Sequence, residues 1–164
     1  MEKSIYFYSE LDSPVGRLVA VFSENALNYL LFDFEAEIFL KKIRFKKIES
    51  HPFKKKLEDE LKEYFQGKRS QFSIPLNLKG TEFQLKAWHT LQLIPYGQTM
   101  TYTEQARAMN SQAVRAVGTA NSKNPINIII PCHRVTRQNG ELGGYVGGVE
   151  IKKRLLQLES QSCL

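Results

Sequence analysis

Cysteine is nearly missing from this chain: there are two in 164 residues, Cys132 and Cys163. Two thiols, one of them beside the last residue, cannot build the disulfide framework of a small secreted domain, so Cys132 is expected to remain a thiol in a reducing compartment. Long apolar runs are also missing, and the opening MEKSIYFYSELDSP has neither a basic segment followed by an apolar stretch nor a small-residue cleavage site. A cytoplasmic location with no membrane association is expected, or a nuclear one in a eukaryotic cell. Metal-ligand patterns are absent too: there is no Cys-x-x-Cys and no His-Glu-x-x-His, and His51, His89 and His133 are scattered. Residues 1–79 hold no cysteine and only one histidine. No metal and no cofactor is therefore expected. Internal repeats and low-complexity segments are lacking as well.

What remains is a globular composition, 42% apolar and 24% charged, with a net charge of +6. That length suits one large domain or two small ones with a real core, and the sign of the charge points to an anionic partner such as nucleic acid. The densest basic runs, Lys41 to Lys47 and Lys54 to Lys56, read as a solvated face rather than a binding stripe.

The pattern along the chain predicts an α+β protein in two parts, residues 1–79 and 80–164. IYFYSEL, SPVGRLVAVFS and LNYLLFDF read as strands of an antiparallel sheet, the last two separated by a turn at Glu24-Asn25. After Ser50 the period changes. Pro52 suits a first helical turn, Phe53, Leu57, Leu61 and Phe65 fall four apart, and Gly67 stops the helix. GKRSQFSIPLNLKG reads as a linker. The second part is mostly helical: Thr81 to Gln84 has capping-box spacing, and Phe83, Ala87, Leu91 and Ile94 form one face before Pro95 and Gly97. Thr101 to Glu104 repeats the capping box. A helix to about Met109, a turn at Asn110-Ser111 and a helix from Gln112 to about Asn121 make a helix-turn-helix. Ile128 to Ile130 read as a short buried strand that delivers Cys132, followed by the glycine-rich GELGGYVGG and a last helix, IKKRLLQLE.

The chemistry concentrates in IIIPCHRV, residues 128–135. Adjacent side chains on a strand point to opposite faces, so Cys132 and His133 communicate only if the backbone turns at Pro131 or a water bridges them. If they do, the histidine can take the thiol proton and leave a nucleophilic thiolate, with a carboxylate from Glu141, Glu150 or Glu159 behind it. The residues alone leave a buried inert thiol equally open. Nearby, the helix with Ala113, Ala116, Gly118 and Ala120 is slim enough for close approach to another surface or for tight core packing, and Arg115 is a long cation among small residues. Chemistry on a base in duplex DNA first requires taking that base out of the stack, which Arg115 could compensate by filling the gap.

Taken together, GTEFQLKAWHTLQLIPYGQTMTYTEQA, AVRAVGTANSKNP, IIIPCHRV, GGYVGG and KKRLLQLE resemble the O6-alkylguanine-DNA alkyltransferases, the methylated-DNA–protein-cysteine methyltransferase family, from about Gly80 to Glu159. The first part, with SPVGRL and its strands, is similar to that family's variable N-terminal domain, but more weakly. The resemblance implies single-use repair: the alkyl group of O6-alkylguanine, and less well that of O4-methylthymine, passes irreversibly to Cys132. It implies that His133 acts as base through a water, Glu159 orients it, Asn124 holds the network, and Tyr102 hydrogen-bonds the flipped guanine and presses on the phosphate. Arg115 matches the finger that replaces the base. On the same grounds Ala113, Ala116, Thr101 and Arg134 are expected at the DNA surface, entered through the minor groove, and Tyr145, Val146, Gly147, Gly148 and Gly143 around the base. The expected partner is double-stranded DNA, bound by a monomer, with cooperativity along the duplex as an option. Two departures stand out: Gln105-Ala106 where relatives have Leu-Ala, and Asn110-Ser111 where they have a longer Gly-x-Pro turn.

Overall fold

The computed structural model describes residues 5–42, 45–48 and 50–162; Cys163 and part of the Lys41 to Lys47 run lie outside them. The chain forms two compact units, Met1–Leu78 with Pro125–Asn127, and Lys79–Asn124 with Ile128–Leu164.

In the first unit, β1 (Phe7–Leu11), β2 (Leu18–Phe22) and β3 (Leu27–Phe32) form an antiparallel meander, and the two-residue β4 (Lys46–Lys47) adds parallel to β1. Central β2 is buried along its whole length, which is why LVAVF is uninterrupted by polar residues. The turn between β2 and β3 closes where Glu24-Asn25 predicted it, with Ser23 N donating to Ala26 O at 3.0 Å.

The predicted strand LNYLLFDF is two residues too long, and a helix follows that the pattern did not announce. α1 (Asp33–Leu40) starts immediately after β3. Residues 32 to 39, FDFEAEIF, alternate apolar and acidic and so mimic strand periodicity. The helix forms instead because Glu35 reaches back to accept from Phe32 N at 2.9 Å, and because Asp33 and Glu35 lie at the positive end of its dipole. Of its apolar residues Ala36 is buried with Val19 and Leu31, while Phe34 and Ile38 stay exposed.

α2 (Pro52–Phe65) begins and ends as predicted, capped by His51 Nδ1 accepting from Phe53 N at 3.2 Å, and buries Leu57, Glu60, Leu61 and Tyr64. Lys54, Lys55 and Lys56 face Glu58, Asp59 and Glu60 one turn on, as a solvated basic face should. The stretch expected as a linker is pinned down. Glu60 accepts from Ser73 Oγ at 2.5 Å and from the amides of Ser73 and Ile74, and Leu76 bridges to Leu27. Burial pushes the Glu60 carboxyl up, but these bonds and nearby Arg69 more than offset it, so its pKa is lowered.

The second unit contains α3 (Glu82–Gln92), β5 (Met100–Thr101), α4 (Tyr102–Ala108), α5 (Val114–Ser122), β6 (Val135–Thr136) and α6 (Val149–Gln161), with β5 parallel to β6. Both capping boxes form, Thr81 with Gln84 and Thr101 with Glu104. Trp88 on α3 donates Nε1 to Ala120 O at 2.9 Å, holding α5 against α3. No described helix is long and apolar enough to cross a membrane.

Candidate active site

The predicted strand at Ile128 to Ile130 does not form. These residues run through turns, with Ile128 at φ 72°, a left-handed conformation that costs a β-branched residue on the order of 1–3 kcal/mol. Ile128 and Ile130 are nonetheless almost fully buried. Uniform apolarity signals burial, and a buried segment need not be extended. Pro131, at φ −84° and ψ 64°, makes an inverse γ-turn in which Cys132 N donates to Ile130 O at 2.8 Å. Cys132 to Arg134 then form a single 3-10 turn that feeds β6. Cys132 therefore rides on a sharp turn, not on a strand.

Around this turn the buried polar groups bond in two sets, one on Cys132 and one on His133. Asn124 Nδ2 donates to Ile130 O at 2.7 Å and to Cys132 Sγ at 3.2 Å. His133 Nε2 donates to Glu159 Oε1 at 2.7 Å, and Arg134 places Nε on Glu159 Oε2 at 2.9 Å and Nη2 on Oε1 at 3.0 Å. Burial alone would raise the Glu159 carboxyl; hydrogen bonds and charge from His133 and Arg134 bring it down to about 2. His133 is fully buried, and that burial lowers its pKa despite the carboxylate, so the ring is neutral at ordinary pH. A neutral ring that donates from Nε2 carries a lone pair on Nδ1, and Nδ1 is buried without a hydrogen-bond partner. It is a base on the far side of the ring from its orienting carboxylate. Of the three candidate carboxylates the structure brings in Glu159 alone: Glu141 pairs with Arg137 in solvent and Glu150 lies exposed in the first turn of α6.

Arg134, expected at a DNA surface, is corrected to an interior role. The residue is 6% exposed and its guanidinium is bound to Glu159 and to Ile94 O at 2.7 Å, so it has no reach outward.

Above the thiol lies a cavity of about 300 Å³ lined by Tyr102, Gly118, Asn121, Ser122, Cys132, Gly144, Tyr145 and Val146. None of the three expected pocket glycines is in that wall, and two serve other ends. Gly143, at φ +75°, lets Tyr102 approach so closely that a Cβ would stand 3.2 Å from its ring; Gly148 is the N-cap of α6; Gly147 is not in the wall. Burial raises the Tyr102 hydroxyl pKa, with the charge on Cys132 adding to it, which keeps the phenol a proton donor.

Sequence reasoning missed Lys152. It is fully buried on α6, with Nζ donating to Val135 O at 2.6 Å and to the loop carbonyl of Gly144 at 3.3 Å. Burial pushes its pKa down to about 8, against the attraction of Cys132. Helical phase was the available signal, since 152, 155 and 159 fall on one face and the other two are Leu155 and Glu159.

The helix-turn-helix forms despite its short turn. Asn110, at φ 53°, supplies the left-handed step, and Ser111 N returns to Ala106 O at 2.9 Å to close the end of α4. Gln105 is fully buried and exchanges amide bonds of 3.0 and 2.7 Å with Asn121, a cavity-wall residue, so this departure locks α4 to α5. On α5 the small residues divide: Ala120 and Val117 pack inward, while Ala113 and Ala116 are exposed. Arg115 is exposed one turn before Gly118 and two turns before Ser122, on the side of α5 that lines the cavity. The Thr101 hydroxyl is occupied as the cap of α4, accepting from Glu104 N at 3.1 Å.

Comparison with known proteins finds two family models: the 6-O-methylguanine DNA methyltransferase DNA binding domain over residues 82–161 and the ribonuclease-like domain of the same proteins over residues 6–78. The methylated-DNA–protein-cysteine methyltransferase of Methanosarcina acetivorans is 42% identical over 160 residues, covering 96% of this chain and 99% of its own. The constitutive enzyme of Bacillus subtilis is 39% identical over 156 residues, covering 93% and 94%. Among solved structures, Mycobacterium tuberculosis OGT in complex with DNA superposes with a TM-score of 0.88 at 37% identity, covering 96% of this chain and 94% of that one.

Proposed function

The chain belongs to the methylated-DNA–protein-cysteine methyltransferases, DNA-binding transferases that repair DNA by direct alkyl transfer, and on that premise we propose that it moves the alkyl group of O6-alkylguanine in duplex DNA irreversibly onto Cys132. The observation that carries this reading is the thiol at the cavity floor, held by Asn124 and followed by a neutral histidine whose outer nitrogen is a lone pair.

The chemistry balances on these groups. A water between Sγ and His133 Nδ1 relays the thiol proton to the ring, and Glu159 stabilises the imidazolium that forms. The thiolate attacks the sp3 carbon on O6, the carbon–oxygen bond breaks, and its electrons stay on the purine. Tyr102 passes its hydroxyl proton to the purine anion, which becomes guanine, and the proton held by the imidazolium returns through solvent to restore the tyrosine hydroxyl and the neutral ring. The products are guanine and a thioether, which has no route back to a thiol, so each molecule repairs one lesion.

Reaching the base requires extrusion from the stack. The slim exposed face of α5 at Ala113 and Ala116 suits close approach to a groove, and Arg115 would fill the space that the base leaves. Arg115→Ala is expected to slow transfer roughly tenfold or more on a fully paired duplex and less on a duplex with a mismatch at the lesion, where unstacking costs less. Stopped single-turnover assays on the two substrates compare them, and equal rates for variant and wild type on paired DNA would remove the finger role. Lys152→Met is expected to slow transfer about tenfold at pH 7 by taking away a cation that favours thiolate and a donor that holds the Gly144 carbonyl. Its pH–rate profile should shift to higher pH.

The direct test is intact-protein mass after mixing with excess duplex carrying one O6-methylguanine, followed by peptide mapping. A single added methyl at Cys132 with no further turnover is expected. A protein that binds the lesion duplex and stays unmodified would overturn the transfer reading in favour of a lesion sensor.

A further inference from the structure

Pro125–Asn127 groups with the first unit, although the residues on both sides of it, Asn124 and Ile128, belong to the second. Within the first unit this segment lies along β3. Leu30 N donates to Pro125 O at 2.9 Å, Asn127 N donates to Leu30 O at 2.9 Å, and Ile126 forms a bridge with Leu30. The Asn127 side chain adds a second layer: Nδ2 donates to Leu30 O at 3.1 Å and to Glu35 Oε2 at 2.9 Å. Glu35 Oε2 also accepts from Phe32 N, so one carboxylate both starts α1 and receives Asn127. Asn127 is fully buried and its Oδ1 has no hydrogen-bond partner, a cost that an alanine or leucine here would avoid. What the residue contributes is its Nδ2 bonds.

The chain on either side of this anchored segment is the active-site turn. Asn124, the residue before it, bonds Cys132 Sγ and Ile130 O; Ile128, the residue after it, holds the left-handed step that leads into the γ-turn under Cys132. We propose that the first unit is a positioning device for the alkyl acceptor, with the Asn127–Glu35 bond as its fastening. Fixing Pro125–Asn127 on β3 sets both ends of the turn and so keeps Asn124 Nδ2 on the sulfur. The inference rests on the alkyl-transfer reading above and adds to it a role for residues remote from the cavity. Asn127 and Glu35 are positioning residues: neither is in the cavity wall.

The test compares wild type, Asn127→Ala, Glu35→Ala and Glu35→Gln in single-turnover transfer from O6-methylguanine duplex, at a temperature well below each variant's unfolding midpoint. In parallel, the pH dependence of iodoacetamide labelling of the Cys132 peptide, read by mass spectrometry, reports the thiol's ionisation. Asn127→Ala and Glu35→Ala are expected to slow transfer roughly tenfold and to move the labelling profile to higher pH, with DNA affinity unchanged, because the bond that favours thiolate is no longer held in place. Glu35→Gln keeps an acceptor oxygen and should recover most of the rate. Folded variants with wild-type rates and profiles would overturn the proposal, and so would slower transfer with an unmoved labelling profile, which is the mark of general loosening. If wild type itself transfers no methyl group, the alkyl-transfer reading fails first, and that outcome is visible in the same experiment.

Discussion

Cys132→Ala is expected to abolish methyl transfer while leaving affinity for duplex DNA unchanged. The thiol is 7% exposed at the floor of the cavity, whereas the exposed groups of α5, Ala113, Arg115 and Ala116, stand on the outside of the unit. Removing Sγ deletes the only atom in the cavity wall that can attack carbon as a soft anion. Tyr102 and Ser122 have hydroxyls, but the Tyr102 pKa is raised and an unactivated serine is a far weaker nucleophile. Cys132→Ser should fail for the same reason, even though it keeps a group for Asn124 to bond. Gel-shift affinity on lesion duplex and intact mass after prolonged incubation measure the two halves of the prediction. A methylated Cys132→Ala protein would mean that another residue accepts the group.

Legibility differed between the two units for physical reasons. The helices of the second unit declare themselves through capping boxes at Thr81 and Thr101 and through periodic apolar residues, and both were read close to their observed bounds. Cys132, His133 and Glu159 are legible as one site only through the motif resemblance; spacing alone leaves Glu141 and Glu150 open, because bringing the carboxylate in needs a turn that carries α6 to residue 133. Two errors share one cause. The alternation in the FDF that ends LNYLLFDF and the uniform apolarity of Ile128 to Ile130 both read as extended chain, yet in each case a local hydrogen bond decides otherwise: Phe32 N to Glu35 at α1, Cys132 N to Ile130 O at the γ-turn. The resemblance puts Arg134 at the DNA surface, and only tertiary structure reveals the buried carboxylate of Glu159 that holds it inside. Gln105, a departure from the family pattern, proved to be half of a reciprocal amide pair with Asn121.

Glu159→Ala should damage the fold and the reaction together, and the two effects can be separated. Glu159 is 2% exposed and its carboxylate neutralises Arg134, which is itself 6% exposed. Deleting it leaves a buried guanidinium without its counter-charge, a change that costs about 3–5 kcal/mol. It also strips His133 of the acceptor that fixes the proton on Nε2, so the ring can present an N–H toward the thiol instead of a lone pair. Glu159→Gln separates charge from tautomer: the amide fills the same volume and its oxygen can still accept from His133, so Nδ1 keeps its lone pair, but the negative charge that neutralises Arg134 and would stabilise an imidazolium is gone. Transfer by Glu159→Gln is expected to fall by roughly 10²-fold or more, in the range of a lost general-base contribution, while the protein stays folded at neutral pH. Acid titration gives an independent check. Both the Glu159 and His133 pKa values are lowered in the fold, so their stabilising contributions are complete above the unfolded values of 4.5 and 6.5 and are lost as pH falls, His133 beginning near 6.5 and Glu159 between 4.5 and about 2. Wild type should therefore lose stability in two stages on acidification, and Glu159→Gln, starting lower, should lack the stage below pH 4.5 that belongs to this carboxylate. Urea unfolding midpoints measured across that range decide it: parallel curves for the two proteins below pH 4.5 would show that Glu159 is not the ionised centre of the network.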